Sequence, residues 1–185
     1  MKAIEFVEYI RGKPIDPKLV NIQFSGRTAE RIISNYKIGD KSSKYVEYGN
    51  EILNLIHNYD LSTFEVGEIT FQSELFIAGD YVFFGWDDYG DRVCYYEFSK
   101  EVSTYYVAAD QYQNKCADSD ESFLDALFEL YMLSLKRTNS LDRSNFKQFD
   151  EEYMSKIRSI LDQQYWAYWQ RFTTDDEWDE IFSNL

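Results

Sequence analysis

The clearest pattern of apolar and polar positions lies between Phe64 and Ala109, where short apolar runs alternate with turn residues. These runs are rich in aromatic and β-branched side chains, and such residues fit a pleated, half-buried surface. The pattern therefore predicts a meander of β-strands, whose longest runs are Tyr81–Trp86, Arg92–Phe98 and Ser103–Ala109.

Successive side chains of a strand point to opposite faces of the sheet. In the run from Arg92 to Phe98, this alternation separates Cys94, Tyr96 and Phe98 from Val93, Tyr95 and Glu97. We expect the first set to face the core because it contains no charge, and Tyr95 to lie near solvent. The next run is apolar on both faces, which indicates that something covers each side.

Apolar residues that recur every three to four positions predict helices elsewhere in the chain. The strongest begins after the capping residues Asp118 and Ser119, and it ends in Lys136 and Arg137, where the helix dipole favours cations. The predicted helices are Ala3–Ile10, Thr28–Tyr36, Tyr45–Asn58, Asp120–Arg137 and Phe149–Phe172, with a short one that begins in Thr174–Glu177. A short edge strand is predicted over Leu19–Phe24.

These elements predict an α+β fold, in which helices pack against a twisted, mostly antiparallel sheet. The helix from Asp120 to Arg137 has a broad apolar face, so we expect it to lie between the sheet and the helix from Phe149 to Phe172. With 185 residues the chain forms one substantial core. We expect one α+β domain over residues 1–143 and a helical extension over 144–185 on the same core.

The formal net charge of −14 argues against nucleic-acid binding, which needs clustered Lys and Arg. It favours a cationic partner, although an acidic surface also serves plain solubility. Sixteen Tyr and four Trp are more than a core of this size comfortably holds. Both residue types are enriched at protein interfaces, so the composition favours protein binding.

Catalytic and metal-binding motifs are not apparent, so we expect a protein without enzymatic activity, cofactor or metal. His57 is the single histidine, which removes most general-base schemes and paired-histidine zinc sites. Cys94 and Cys116 form no CxxC pair and are expected to be reduced structural thiols. No apolar run approaches the roughly 20 residues of a membrane span, and we expect a cytoplasmic protein.

The loop Gly85–Asp91 places acids and aromatics between two apolar strands, which makes it the first candidate for a recognition site, although its composition also fits a plain polar turn. Its acids lack the ligand register of an EF-hand, so calcium binding is not predicted. We expect aromatic anchors and steering charges in this loop and an additional contact in an acidic tail. The candidate partner-binding residues are Trp86, Asp87, Asp88, Tyr89, Asp91 and Tyr95, and those of the tail are Asp175, Asp176, Trp178, Asp179 and Glu180.

The stretch from Tyr59 to Leu135 resembles the SUKH superfamily, which contains bacterial toxin-immunity proteins, the Syd protein and yeast cell-wall-synthesis regulators. Three segments carry the resemblance: the loop Phe83–Asp91, the strand Val93–Phe98 and the helix Ser122–Leu127. The Leu-Pro-x-x-Tyr segment typical of the family is absent, and the aromatic helix after Ser144 would be an addition. The resemblance implies an α+β fold and non-catalytic binding of another protein, such as a bacterial toxin that the chain neutralises.

Two other functions remain open at this stage. Tyr and Trp on a sheet suit sugar stacking, so a carbohydrate-binding module is one alternative. Acid pairs such as Glu97 with Glu101 or Asp118 with Asp120 could in principle serve glycoside hydrolysis, but such pairs are inevitable in so acidic a chain. The other alternative is an inhibitor that imitates the charge of DNA. Such a mimic presents a long, regular track of carboxylates, whereas an immunity protein uses a compact patch with aromatic anchors.

Overall fold

A computed structural model describes residues 1–41, 44–87 and 89–173. In this part of the chain, seven α-helices accompany a two-stranded and a six-stranded sheet. The elements are α1 (Ala3–Gly12), α2 (Pro17–Gln23), α3 (Gly26–Asn35), β1 (Gly39–Asp40), α4 (Glu51–Asn58), β2 (Tyr59–Asp60), β3 (Glu65–Val66), β4 (Ile69–Ala78), β5 (Tyr81–Trp86), β6 (Arg92–Tyr96), β7 (Val102–Tyr106), β8 (Gln111–Ala117), α5 (Asp120–Asn139), α6 (Phe146–Ile160) and α7 (Trp166–Gln170). The α+β fold expected from the sequence is confirmed.

The six-stranded sheet is an antiparallel meander in which each strand from β3 to β8 pairs with its neighbour in sequence. The turn between β4 and β5 is Gly79-Asp80, as predicted, and Gly79 has a φ of 58°. A positive φ at the first turn residue is typical of a tight two-residue hairpin. The last strand, β8, was not predicted, because most of its side chains are polar.

Helix α5 lies at the centre of the molecule, between the sheet and α6, as the sequence predicts. Its N-cap is Ser119, whose hydroxyl accepts the Ser122 N–H at 3.2 Å. Leu127, at the middle of the helix, is fully buried. Burial of one such side chain stabilises the folded state by about 1.5–3 kcal/mol. The eight buried residues of α5 therefore contribute a large part of the hydrophobic free energy of folding.

The prediction of a single long helix from Phe149 to Phe172 is wrong, because the chain leaves helical geometry at Leu161, whose ψ is 147°. Leu161 is itself buried, and its carbonyl oxygen accepts the Trp166 indole N–H at 2.8 Å. The break redirects α7, which places Trp169 in the core. There the Trp169 indole N–H donates to the Cys116 carbonyl at 2.7 Å, so α7 is joined to the edge strand β8.

The edge strand expected over Leu19–Phe24 is also wrong, since this segment forms most of α2. Asp16 caps the helix by accepting the Lys18 N–H at 2.8 Å, and Pro17 occupies the first turn. An acidic cap followed by proline is a strong helix start, and it overrides the short alternation of apolar residues. The helix expected from Tyr45 is shorter than predicted and begins at Glu51.

One hydrophobic core runs through the described residues, from Ala3 in α1 to Phe172 after α7. The described part of the C-terminal extension therefore shares the core of the sheet. Among these residues, we find no helix with the length and apolar character needed to cross a membrane.

Candidate functional site

The two faces of the six-stranded sheet differ in what covers them. Val93 and Tyr95 of β6 point to the helices and belong to the main core, where Tyr95 is 3% exposed. The assignment of faces in this strand was therefore wrong, and Tyr95 is no surface contact. Phe98, which was expected in the core, is 75% exposed. Val93 and Tyr95 are as apolar as Cys94 and Tyr96, so alternation alone could not distinguish the faces, and the charged Glu97 lies after the end of the strand.

The opposite face carries a continuous chain of aromatic rings. Phe76 and Phe98 stand at its two ends, and 51% of Phe76 is exposed. From one end to the other, the rings in contact are Phe76 and Phe83 (5.7 Å between centroids), Phe83 and Tyr105 (5.6 Å), Tyr105 and Tyr112 (5.2 Å), Tyr112 and Tyr81 (4.6 Å), Tyr81 and Tyr96 (4.9 Å), and Tyr96 and Phe98 (5.5 Å). We call these seven rings, together with Trp86 and Arg92, the aromatic face.

The aromatic face is concave. Tyr81 lies on β5 and Tyr112 on β8, with two strands between them. In a flat sheet those strands would be about 14 Å apart, at ~4.8 Å per step. Their ring centroids are nevertheless 4.6 Å apart, so the sheet curls toward this face. The curl gathers side chains from five strands, β4 to β8, into one surface.

Arg92 lies at the Phe76 end of this surface. Its guanidinium carbon is 4.7 Å from the Trp86 ring, 5.1 Å from that of Phe76 and 5.7 Å from that of Phe83. These cation–π contacts hold the side chain against the sheet. The Arg92 Nε is buried without a hydrogen-bond partner. The aromatic face therefore has a cationic corner.

The tyrosine hydroxyls give the middle of the face its polarity. Tyr105 donates a hydrogen bond to the Asp110 carboxylate, and this bond raises the pKa of Tyr105. Burial, followed by the hydrogen bond with Tyr81, raises the pKa of Tyr112. The hydroxyls of Tyr105 and Tyr112 are therefore neutral at physiological pH. Together with the other tyrosine hydroxyls of the face, they supply donors and acceptors within an apolar surface, as interface tyrosines do.

Cys94 lies in the floor of the face, fully buried. Burial raises the pKa of its thiol to about 12, so the thiolate that a nucleophile or redox centre requires is not formed at neutral pH. Burial also raises the pKa of Cys116. Both cysteines are free and buried.

Asp87, in the loop from Gly85 to Asp91, has a structural role. Its side chain is fully buried and forms an ion pair with Arg171, whose Nη2 lies 3.0 Å from Oδ2. Its other oxygen, Oδ1, accepts the backbone N–H groups of Tyr89 (3.1 Å) and Asp91 (2.9 Å). Asp87 therefore fixes the loop and ties it to the segment after α7. The expectation that it is a steering charge at the surface is wrong.

The other predicted site residues fall into three groups. Asp91 is 3% exposed, which also removes it from the surface. Trp86 is partly exposed beside Arg92, and Tyr89 is 71% exposed with Arg171 over its ring at 5.0 Å. Asp88 and the tail residues Asp175, Asp176, Trp178, Asp179 and Glu180 lie outside the described residues. Of the predicted residues, the structure thus brings Trp86 onto the aromatic face, but neither Tyr95 nor the buried acids.

The acid pairs considered for glycoside hydrolysis also have structural partners. Glu101 forms an ion pair with Lys115 at 2.9 Å and accepts the Tyr165 hydroxyl at 3.3 Å. Asp120 accepts the backbone N–H of Glu51 at 2.5 Å, which joins α5 to α4. His57 is exposed and stacks on Tyr48 at 4.6 Å. These contacts give Glu101, Asp120 and His57 structural partners.

No group of three or more His, Cys, Asp or Glu side chains in the described ranges is arranged to hold a metal ion. Comparison with protein-family models, curated proteins and solved structures finds no match. The geometry of the aromatic face is therefore the basis for a functional assignment.

Proposed function

We propose that this protein binds another protein through the aromatic face and neutralises it without catalysis. The observation that carries the proposal is the unbroken chain of rings from Phe76 to Phe98 on a sheet face where several large rings stay exposed. Tyr112, near the middle of this row of rings, is 44% exposed. Exposed apolar patches mark interaction sites, and aromatic residues commonly supply most of the binding energy.

The partner is a cationic protein. The chain has a formal net charge of −14, which attracts a basic partner over distances up to the Debye length and raises the association rate. The resemblance to the SUKH superfamily suggests a toxin domain of a bacterial competition system. In that role the protein is an immunity protein that covers or blocks its toxin.

The two alternatives receive less support from the geometry. A DNA mimic needs a regular track of exposed carboxylates, yet Asp87 and Asp91 are buried. A sugar-binding platform needs flat ring faces that are open to the ligand. The rings of the aromatic face meet their neighbours at interplanar angles between 33° and 73°, so they do not form one flat platform.

Binding to the product of the neighbouring gene tests the proposal. The two proteins are co-expressed, and association and dissociation rates are measured at two ionic strengths. Tyr112→Ala, Phe98→Ala and Trp86→Ala should each cost about 2 kcal/mol of binding, mainly through faster dissociation. This corresponds to roughly a 30-fold weaker Kd. Higher salt should slow association.

Tyr45→Ala is a matched control, because Tyr45 is 45% exposed, like Tyr112, but is not part of the aromatic face. It should leave the affinity unchanged. Absence of both binding and protection from the toxin would refute the proposal. Tight binding that Tyr112→Ala and Phe98→Ala do not weaken would place the contact on another surface.

A further inference from the structure

Strand β4 has a backbone edge that is only partly paired. Its first two residues, Ile69 and Thr70, pair with β3, and β5 pairs along its other side. In the described residues no strand pairs with the outer side of Glu74–Ala78. In the described part of the chain, the outward backbone N–H and C=O groups of this stretch therefore have no strand partner.

The two edges of the sheet differ in how they are protected. At β8 the Trp169 indole occupies the Cys116 carbonyl, Lys115 is paired with Glu101, and the register with β7 is irregular. Such features discourage pairing with another chain. On β4, the contact of Lys41 Nζ with the Ser73 carbonyl at 3.4 Å covers the strand at Ser73, and the register shift lies between Phe71 and Phe76. From Phe76 to Ala78 the register with β5 is regular, and neither feature protects the outer side.

Beyond Glu74, which is an exposed acid, the edge residues Leu75–Ala78 are apolar and include neither lysine nor proline. Phe76 is 51% exposed on the aromatic face, and Ile77 is 65% exposed on the opposite face. An exposed apolar edge without these protective residues is a typical site for strand addition.

The hairpin turn indicates which backbone groups face outward. The two-residue turn closes on the pair Ala78 and Tyr81, and Phe76 pairs with Phe83 two residues earlier. Hydrogen-bonded pairs alternate along an antiparallel ladder. Ala78 and Phe76 therefore direct their N–H and C=O groups toward β5. Ile77 directs its own pair of groups to the open side.

We infer that the edge Glu74–Ala78 takes an extended, basic segment of the partner protein as an additional strand. The inference rests on the proposed function, and it specifies the form of the partner. The segment is basic because Glu74, at the start of the edge, and Asp80, in the turn that follows it, are exposed acids in a chain with a net charge of −14. Because Phe76 belongs to the aromatic face, the added strand continues that face outward.

The test uses a displayed library of random twelve-residue peptides selected against the whole protein. Enriched peptides should alternate apolar residues with Lys or Arg, and they are then synthesised in two forms. In each form every second backbone amide is N-methylated, with the two forms offset by one residue. The form that methylates the amides facing β4 should bind at least tenfold more weakly, and the offset form should bind like the parent. This comparison leaves the protein unaltered.

Ile77→Pro complements the peptides, because it removes the outward N–H and keeps the bonds of Phe76 and Ala78 to β5. It should weaken peptide binding at least tenfold, whereas Ile77→Ala, which retains the N–H, should weaken it less. Failure to enrich any peptide, or equal binding of both methylated forms, would overturn the inference.

The same variants separate this inference from the proposed function. If Ile77→Pro leaves binding of the cognate partner intact while Phe98→Ala abolishes it, the aromatic face stands and the strand-addition site falls. If peptides pair with β4 but the cognate partner neither binds nor is neutralised, the edge stands and the proposed function falls.

Discussion

The buried ion pair between Asp87 and Arg171 gives the sharpest prediction for stability. Asp87→Asn keeps Oδ1, which accepts two backbone N–H groups, and replaces Oδ2 with an amide NH2 group that faces the Arg171 Nη2. The substitution thus removes the negative charge and puts two donors against each other. The side chains are 0% and 12% exposed, so water compensates little for the loss.

Loss of one partner from a buried ion pair costs about 3–5 kcal/mol. The lower value applies here, because Asn retains the two backbone hydrogen bonds, so we expect the free energy of unfolding to fall by about 3 kcal/mol. For a chain of this size, each kcal/mol lowers Tm by about 2–4 °C, so the expected decrease is roughly 6–12 °C. Urea unfolding followed by tryptophan fluorescence measures the free energy directly.

Glu152→Gln is the control, because Glu152 pairs with Lys136 at 2.5 Å but with 46% and 41% of the two side chains exposed. Solvent screens an exposed pair, so this variant should lower the free energy of unfolding far less than Asp87→Asn does. Equal losses in Asp87→Asn and Glu152→Gln would refute the reasoning. Combining Asp87→Asn with Arg171→Met should cost less than the sum of the single changes, since the two residues are coupled.

Three further predictions follow from burial. Leu127→Asp should unfold the protein, because an unpaired carboxylate in the centre of α5 costs several kcal/mol of the roughly 5–15 kcal/mol that hold a domain together; circular dichroism and gel filtration report the outcome, and a soluble variant with cooperative melting would contradict the packing. Cys94 and Cys116 should resist a thiol reagent at pH 8, since burial raises both pKa values, and both should react after denaturation in guanidinium; rapid reaction in native buffer would contradict the buried positions. Gly85→Ala should lower Tm, because the new Cβ would lie 2.3 Å from the Thr70 carbonyl oxygen; an unchanged Tm in differential scanning calorimetry would show that β4 and β5 separate without cost.

Local signals in the sequence were sufficient for the elements that follow simple rules. Ser119 caps α5, and Gly79 forms the turn between β4 and β5, where each residue type has a direct conformational reason. The break at Leu161 was not predictable in the same way. It depends on burial of Leu161 and on the Trp166 indole, a contact that forms only once α7 turns toward the sheet.

The candidate site was harder to locate than the fold. The loop acids were chosen for their composition, but the Asp87 carboxylate is neutralised by Arg171, which lies 84 residues later in the chain. The aromatic face was missed because its side chains alternate with equally apolar core residues. The available signal for this face was the presence of strands that are apolar on both sides. Helices cover one side of these strands, and on the other side the aromatic rings contact one another and lie over Cys94.

The links from α7 to the sheet also affect how the protein folds as it is synthesised. The Trp169 indole hydrogen bond to Cys116 spans 53 residues, and the contact of Arg171 with Asp87 spans 84. Contacts between residues so distant in sequence make folding slow, because long loops must close before the contacts form. While residue 171 is still inside the ribosome, the nascent chain can form the meander but not the contacts of Trp169 and Arg171 with it. The core side of β8 is exposed at that stage. We therefore expect chaperone dependence during translation, and a fragment that stops at residue 160 should aggregate when the longer chain does not.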